Sequence, residues 1–104
     1  MTDGGDRMSE SQNTLLDLVK NCLSIISTST IKDSELNMWI NAGKKDLERQ
    51  GITVDATNEL IQSAIVMYVK GNFGNVDIKE KQLAQATYNL LCVNLSLSAT
   101  EEVE

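Results

Sequence analysis

Two cysteines are the side chains best suited to nucleophilic chemistry in this chain of 104 residues. Cys22 and Cys92 lie far apart in sequence, form no Cys-x-x-Cys pair and are accompanied by no histidine. A thiol nucleophile needs a neighbouring base, and a zinc site needs thiolates or imidazoles at short spacing. The sequence therefore predicts two small buried thiols, no metal and no cofactor. The carboxylates fall in predicted helix caps, on solvated faces and near the C-terminus, so we expect no acid-base pair and no enzymatic activity.

Three basic residues, Lys44, Lys45 and Arg49, lie close together in sequence. Asp46 lies between them, and Lys44 can pair with Glu48 one helical turn further on. This pattern predicts an ordinary solvated helix face. It could contact DNA only if many copies pointed it into one channel, and we keep the three basic residues as candidates for a protein-protein contact.

A glycine-containing segment runs from Gly71 to Asn75. It lacks the Gly-Lys-Ser/Thr ending of a phosphate-binding loop, so the pattern predicts a turn between two helices. Phe73 in this turn either tucks beneath the preceding helix or faces a partner. Asn72, Phe73, Gly74 and Asn75 are therefore the other candidates for a protein-protein contact.

The composition predicts that these residues are positioned by packed helices. The hydrophobic fraction is 41% but the aromatic fraction is only 4%, and proline is absent, so the core must consist mainly of Leu, Ile, Val and Ala. A net charge of −6 disfavours autonomous binding to nucleic acid. The longest apolar stretch, residues 64–69, is far shorter than the roughly 20 residues of a membrane span. The polar first dozen residues lack the pattern of a secretory signal, so we expect a cytosolic protein.

Apolar periodicity predicts two helices in the first half of the chain. The first begins near Asn13 and ends at the Ser/Thr run of residues 27–30. In the second, Asp33 is the expected N-cap and Gly51 the expected left-handed residue after the C-terminus. Gly43 on its apolar side indicates that another backbone comes close. The two apolar stripes are Leu15, Leu16, Val19, Leu23 and Ile26, and Leu36, Trp39, Ile40 and Leu47.

Two further helices are predicted in the second half. The third begins after Asp55 or Thr57 and is expected to be the most buried, because its apolar residues form a doubled stripe. Asp77 and Glu80 form a capping-box pattern at the start of the fourth, which is expected to end near Leu97. The doubled stripe consists of Leu60, Ile61, Ala64, Ile65, Tyr68 and Val69, and the apolar residues that continue the fourth helix are Leu83, Ala84, Ala86, Tyr88, Leu90, Leu91 and Leu95.

The predicted architecture is all-α, a compact bundle of about four helices with a glycine-containing turn between the third and the fourth. Residues 1–12 are expected to form a flexible polar N-terminal tail, residues 13–98 the helical domain, and residues 99–104 a mobile acidic tail. Trp39 and Tyr68 lie in apolar stripes and are interpreted as core residues.

The order of these segments resembles the small head-tail connector, or DNA-packaging, proteins of tailed bacteriophages. Residues 31–52, 59–75 and 90–98 carry the resemblance. In that family an acidic cap precedes a helix with a small-residue, lysine-rich stretch that ends at glycine, and the next helix ends in an Asn-aromatic-Gly turn. The matching residues here are Asp33, Ala42, Gly43, Lys44, Lys45 and Gly51, then Tyr68, Lys70, Asn72, Phe73 and Gly74.

The resemblance implies a structural virion subunit that forms a ring beneath the portal and completes the head after DNA packaging. Its implied partners are further copies of the chain, the portal protein, the adjacent head-completion or tail protein, and DNA that passes through the ring without sequence-specific binding. Subunits of this family can stay monomeric until the portal templates the ring. The implied location is the head-tail interface of the virion, and the host cytoplasm during assembly, with no membrane involved.

Two other functions are compatible with the residues. A cytosolic regulator could grip a partner helix in a groove between its own helices. A small enzyme would need a pocket with perturbed carboxylates or a reactive Cys22 or Cys92. Neighbouring portal, capsid and tail genes would favour the connector, and replacement of both cysteines by alanine without functional loss would remove the thiol enzyme.

Overall fold

The computed structural model describes residues 14–26, 28–55, 57–74 and 76–103, with side chains as far as Leu97. These residues form four α-helices and no β-strand, which confirms the predicted fold class. The predicted flexible tail, residues 1–12, lies outside the described residues. The helices are α1 (14–22), α2 (Asp33–Arg49), α3 (Glu59–Asn72) and α4 (Ile78–Val103).

Helix α3 is the central element of the fold, because it packs against both α2 and α4. Its doubled apolar stripe is buried as predicted, except that Leu60 at its start is exposed and Tyr68 is half-buried. The facing side of α2 contributes Leu36, Ile40 and Leu47, which are fully buried. The core that results is mainly aliphatic. The buried residues of α3 are Ile61, Ala64, Ile65, Val66, Val69 and Gly71.

The end of α2 confirms the role predicted for Gly51. This residue adopts φ +85°, and its N–H donates to the carbonyl of Glu48 at 2.9 Å. The N–H of Ile52 donates to the carbonyl of Leu47 at 3.0 Å. The two bonds form a Schellman motif, and the side chains of Ile52 and Leu47 both join the core.

Helix α1 ends earlier than the periodicity predicts. Residues 23 and 24 form a turn in which Ser24 adopts φ 62°, and the N–H of Ile25 donates to the carbonyl of Lys20 at 2.8 Å. This left-handed residue stops the helical period, since the chain direction changes there. Leu23 still packs against the core, but Ile26 is 72% exposed and its assignment to the buried stripe was wrong.

The predicted N-cap of α2 is also wrong. Lys32 occupies the cap position and makes no side-chain capping bond, and Asp33 is the first helical residue. The carboxylate of Asp33 instead pairs with the ammonium of Lys20 from α1. The side chain that the local sequence predicts as a helix cap therefore forms a tertiary ion pair instead.

Asn58 is the residue that caps α3. Its Oδ1 accepts hydrogen bonds from the N–H groups of Leu60 at 2.8 Å and Ile61 at 3.3 Å. Asp55, one of the two residues after which the helix was predicted to begin, accepts instead from the N–H and the hydroxyl of Thr57 at 3.0 and 2.7 Å. Both acceptors satisfy local backbone donors, but only Asn58 lies directly before the helix.

Replacing Asn58 by alanine is expected to lower the free energy of unfolding by about 1 kcal/mol, because two helix N–H groups lose their acceptor. Urea denaturation followed by circular dichroism measures the change. Asp55→Ala is the matched control, and its loss is expected to be smaller because Asp55 is fully exposed and caps no helix. An Asp55→Ala loss as large as that of Asn58→Ala would contradict this cap assignment.

Helix α4 begins at the predicted cap. The Asp77 carboxylate accepts from the N–H of Lys79 at 3.0 Å, directly before the first helical residue. Glu80 was predicted to complete a capping box, but its carboxylate lies 3.5 Å from the ammonium of Lys70 on α3. The helix continues to Val103, past the end predicted near Leu97.

Two helix interfaces depend on glycine. A Cβ on Gly43 would lie 3.1 Å from the Tyr68 ring, so the group that approaches α2 is an aromatic side chain and not the expected backbone. A Cβ on Gly71 would lie 2.7 Å from Cγ of Gln85 and 3.5 Å from its backbone nitrogen. Gln85 also donates to the carbonyl of Gly71 at 2.7 Å. Gly71 therefore lies within α3 and lets α4 approach, and α3 ends only after Asn72.

Candidate assembly surface

The two cysteines lie on different helices in different surroundings. Cys22 at the end of α1 is half-buried and Cys92 on α4 is buried, and both are free thiols. Within the described residues, no three His, Cys, Asp or Glu side chains are grouped so that they could hold a metal ion. The described helices also include none that is long and apolar enough to cross a membrane.

A polar cluster around Asp46 joins the C-terminal part of α2 to α4. The Tyr88 hydroxyl donates to the Asp46 carboxylate at 2.5 Å, and the Gln50 amide donates to it at 3.0 Å. Arg49 also pairs with this carboxylate. The Gln50 amide further donates to the sulfur of Cys92 at 3.5 Å. The Asp46 carboxylate therefore accepts from three donors, and its bond to Tyr88 joins α2 to α4.

Burial raises the pKa of the Tyr88 hydroxyl, and the hydrogen bond to Asp46 raises it further. A phenol whose pKa is raised stays protonated, so it donates a hydrogen bond and cannot serve as a base at neutral pH. The ring of Tyr88 also packs edge-on against Tyr68 at 5.2 Å, and Tyr68 in turn lies 6.4 Å from Trp39. The aromatic side chains thus connect α2, α3 and α4.

Tyr88→Phe is expected to flatten the alkaline loss of stability. In the unfolded chain this phenol ionises near its ordinary pKa of about 10, whereas in the folded chain its pKa is higher. The folded state therefore binds more protons above about pH 10, and stability falls as pH rises. Urea midpoints at pH 9 and pH 11 should differ less for the variant than for the parent. Tyr68→Phe is the control, and an equal difference in Tyr88→Phe and parent would contradict the assignment.

A buried ion pair connects α1 to α2. Lys20 is only 3% exposed, and its ammonium lies 2.8 Å from the carboxylate of Asp33. The same ammonium donates to the carbonyl of Ser29 at 2.8 Å, so it also holds the connecting loop. Lys20 was not among the candidate residues, because a single lysine between Val19 and Asn21 carries no sign of its partner in the sequence.

The described surface has an open cleft of about 440 Å³ between the α1–α2 loop and the start of α4. Its charged lining residues are Lys32, Lys70, Asp77 and Glu80, two of each sign. Lys70 pairs with Glu80 at 3.5 Å, which leaves no surplus of either charge to select an ion. The cleft is therefore a weak candidate for a ligand site.

The predicted contact residues do not form one patch. Phe73 is 2% exposed and packs in the core, so its ring cannot meet a partner in this conformation. Asn72 donates from its amide to the carbonyl of Tyr68 at 2.8 Å and terminates α3. Gly74 is exposed, and Asn75 lies outside the described residues.

The basic candidates lie on α2 in three different settings. Partial burial lowers the pKa of Lys44, and the charge of the neighbouring Glu48 opposes this shift. Lys45 is exposed, and Arg49 is exposed while it pairs with Asp46. Lys45 and Arg49 therefore remain candidates for contact with another chain.

Helix α4 carries apolar residues on two opposite faces. One face packs on the core through Ala84, Tyr88, Cys92 and Leu95. The other is exposed and follows the three- and four-residue spacing of a coiled-coil seam. At 3.6 residues per turn, the two stripes are about 180° apart. We call the exposed set the outer stripe, and it consists of Leu83, Ala86, Leu90, Val93 and Leu97.

The exposure of the outer stripe was not predicted, because the apolar residues of α4 were used only to place the helix and not to divide its faces. The sequence does contain a sign of this exposed apolar face, because it has no charged residue from Gln82 to Thr100. An exposed helix face in a water-soluble monomer would normally carry charges.

The outer stripe is large enough to contribute to association. Its four large side chains are 55% to 69% exposed. At about 1.5–3 kcal/mol for complete burial of one such side chain, covering all four would contribute roughly 4–7 kcal/mol per chain before the cost of association. A face of this kind is a candidate binding surface, because soluble monomers seldom expose contiguous apolar patches.

Comparison with known proteins identifies the family of this chain. A model of the family described as phage connector protein matches residues 15–102. This range includes all of α2 and α3, α1 without its first residue and α4 without its last. No curated protein and no solved structure matches the chain. The match covers the outer stripe, the Asp46 cluster and the buried Lys20 pair. The chain therefore belongs to the phage connector protein family, a family of structural virion proteins that assemble with other phage head and tail proteins.

Proposed function

We propose that this chain is a non-enzymatic subunit of the head-tail connector ring that docks beneath the portal and completes the head after DNA packaging. The observation that carries the proposal is the outer stripe of α4. In a free monomer, an uncharged apolar face opposite the core-facing side would stay in contact with water and add nothing to the fold. It fits a subunit whose function is to be covered by other chains.

The internal contacts support a mechanical role. The Lys20–Asp33 pair fixes α1 and its loop to α2, and the Asp46–Tyr88 bond fixes α2 to α4. Because these contacts join the helices of the subunit, its outer faces are held at constant relative angles. Repetition of one chain around an axis requires such constancy, because small angular errors accumulate around a ring.

Charge supports the passage of DNA without binding. The chain carries a net charge of −6, so a ring of many copies would be strongly acidic. Such a ring repels phosphate backbones on average and lets a duplex slide through. Exposed cations such as Lys45 are then proposed to contact neighbouring protein chains rather than DNA. The subunit would be present in the host cytoplasm before it joins the virion.

Deletion of the gene in the parent phage tests the proposal. We expect capsids that package DNA but lose it or fail to accept tails, as seen by electron microscopy and by nuclease sensitivity of the packaged DNA. Expression of the intact chain in trans should restore infectious particles. Normal virions from the deletion strain would overturn the proposal and favour a cytosolic helix-binding regulator.

A further inference from the structure

Among the described residues, a small cleft between α3 and α4 is lined by uncharged side chains alone. Its volume is about 240 Å³, and it shares no lining residue with the larger cleft beside Lys70 and Glu80. Sites for whole small molecules usually measure roughly 300–1,000 Å³, so this one suits a single side chain. We call it the α3–α4 cleft, and its lining residues are Met67, Tyr68, Asn72, Gln85, Tyr88 and Asn89.

The carboxamides of Asn72 and Gln85 are each fixed in one orientation. The Asn72 amide donates to the carbonyl of Tyr68 at 2.8 Å, and the Gln85 amide donates to the carbonyl of Gly71 at 2.7 Å. Because a carbonyl oxygen can only accept, the NH2 group must face it, and the carboxamide oxygen faces away. Among the described residues, neither of these two oxygens accepts a hydrogen bond. The α3–α4 cleft therefore has two oriented acceptors that the fold does not use.

We propose that the α3–α4 cleft binds the carboxamide of an asparagine or glutamine side chain from another virion protein. Two acceptors in one cleft require two donors on one group, and the NH2 of a primary carboxamide supplies both, whereas a backbone N–H or a hydroxyl supplies one. The rings of Tyr68 and Tyr88 offer apolar surface to the methylene group that carries the carboxamide. A ligand that bonds to the two oxygens needs no bond from Asn89. That the partner is a virion protein rests on the proposed function, but the chemistry of the cleft does not.

Charges in and around the cleft favour a neutral ligand. An ammonium or guanidinium group would leave water without a carboxylate to pair with, because Asp46, which lines a separate cleft with Tyr68, already pairs with Arg49. Lys45 in that separate cleft and Lys81 at the start of α4 would also repel a cation. An anion would meet two carboxamide oxygens and the C-terminal end of α3, which is the negative end of the helix dipole.

Three amides with different numbers of N–H donors test the proposal in the nitrogen-15-labelled full-length chain. Propionamide has two donors, N-methylpropionamide one and N,N-dimethylpropionamide none. Each is added at up to about 100 mM, because so small a ligand binds weakly. We expect only propionamide to shift the side-chain NH2 signals of Asn72 and Gln85 along a saturating curve. Equal responses to all three amides, or no saturating response to any, would overturn the proposal, since water would then satisfy the two oxygens as well as an amide does.

Gln85→Lys removes one of the two acceptors and keeps the contacts that the residue makes within the fold. The ammonium can still donate to the Gly71 carbonyl, and the aliphatic Cγ stays against Gly71. We expect roughly fivefold weaker binding of propionamide, from the loss of one hydrogen bond, and a lower infectious titre when this variant complements the deletion strain. Asn94→Lys is the matched control, because it adds the same charge at an exposed residue of α4 that does not line the cleft. Its binding and titre should equal those of the parent.

The outcomes separate this proposal from the proposed function. Parental binding by Gln85→Lys would show that the Gln85 oxygen is not an acceptor for the ligand. A parental titre from Gln85→Lys, with binding weakened, would show that no partner in the virion uses the cleft. Normal virions from the deletion strain would overturn the proposed function and leave the binding result standing. Thermal melting checks that the variants fold, and the three amides decide the proposal on the parent chain even if Gln85→Lys does not.

Discussion

Leu90→Asp is expected to abolish assembly into infectious particles while the subunit stays folded. Leu90 lies at the middle of the outer stripe and is 67% exposed, so a carboxylate there is solvated in the free chain. In an assembled contact the same carboxylate would be buried without a partner, at a cost of several kcal/mol. This corresponds to at least a roughly hundredfold loss of affinity per contact. Complementation of the deletion strain, scored as infectious titre, measures the effect.

Asn89→Asp is the matched control for this substitution. It adds the same charge to the neighbouring residue of α4, which is exposed but outside the outer stripe. We expect near-normal titre from Asn89→Asp and thermal melting of both variants within a few degrees of the parent. Equal titres from the two variants would remove the outer stripe from the assembly mechanism, whereas unfolding of Leu90→Asp would make Leu90→Ser the variant to compare.

Lys20→Met is expected to cause the largest loss of folding stability among the polar substitutions considered, about 3 kcal/mol. The methionine keeps the aliphatic volume but leaves Asp33 without its cation and Ser29 without its donor. The estimate is at the lower end of the range for broken buried pairs, because Asp33 is 28% exposed and lies at the positive end of the α2 dipole. Urea denaturation at pH 7 gives the free energy of unfolding.

Lys32→Met provides the comparison for Lys20→Met. Lys32 also pairs with an acidic residue of α2, but it lies 4.0 Å from Glu35, and the two side chains are 43% and 39% exposed. Surface pairs of this kind contribute only about 0–1 kcal/mol. The double variant Lys20→Met/Asp33→Asn should recover part of the loss, since it removes the stranded charge. If Lys20→Met were no more destabilising than Lys32→Met, the buried pair would have no structural importance.

Periodicity predicted the helices better than it predicted their ends. The stripes of α2 and α3 are continuous and face one core, so spacing alone identifies them. End positions depend on competition among nearby polar side chains. Asp55 accepts a hydrogen bond from Thr57 while Asn58 caps α3, and Asp33 forms an ion pair with Lys20. A one-dimensional pattern contains no information on which of these competitors wins.

The candidate surface was less predictable than the fold. Phe73 looked equally suited to the core and to a partner, and only packing decides that it is buried. The apolar residues of α4 were visible, but their division into two opposite stripes appears only when each residue is placed on the helix. The run from Gln82 to Thr100, which has no charged residue, could have revealed the second stripe. A helix that is buried on one side only normally carries charged residues on its solvent side.

A cryo-electron microscopy reconstruction of the virion tests the central claim most directly. We expect many copies of this helical chain in a ring at the head-tail junction, with the outer stripe of α4 covered by neighbouring protein. Quantitative mass spectrometry of the same particles should find the chain in a fixed ratio to the portal protein. Virions that lack the chain, or a junction in which the outer stripe faces solvent, would contradict the account.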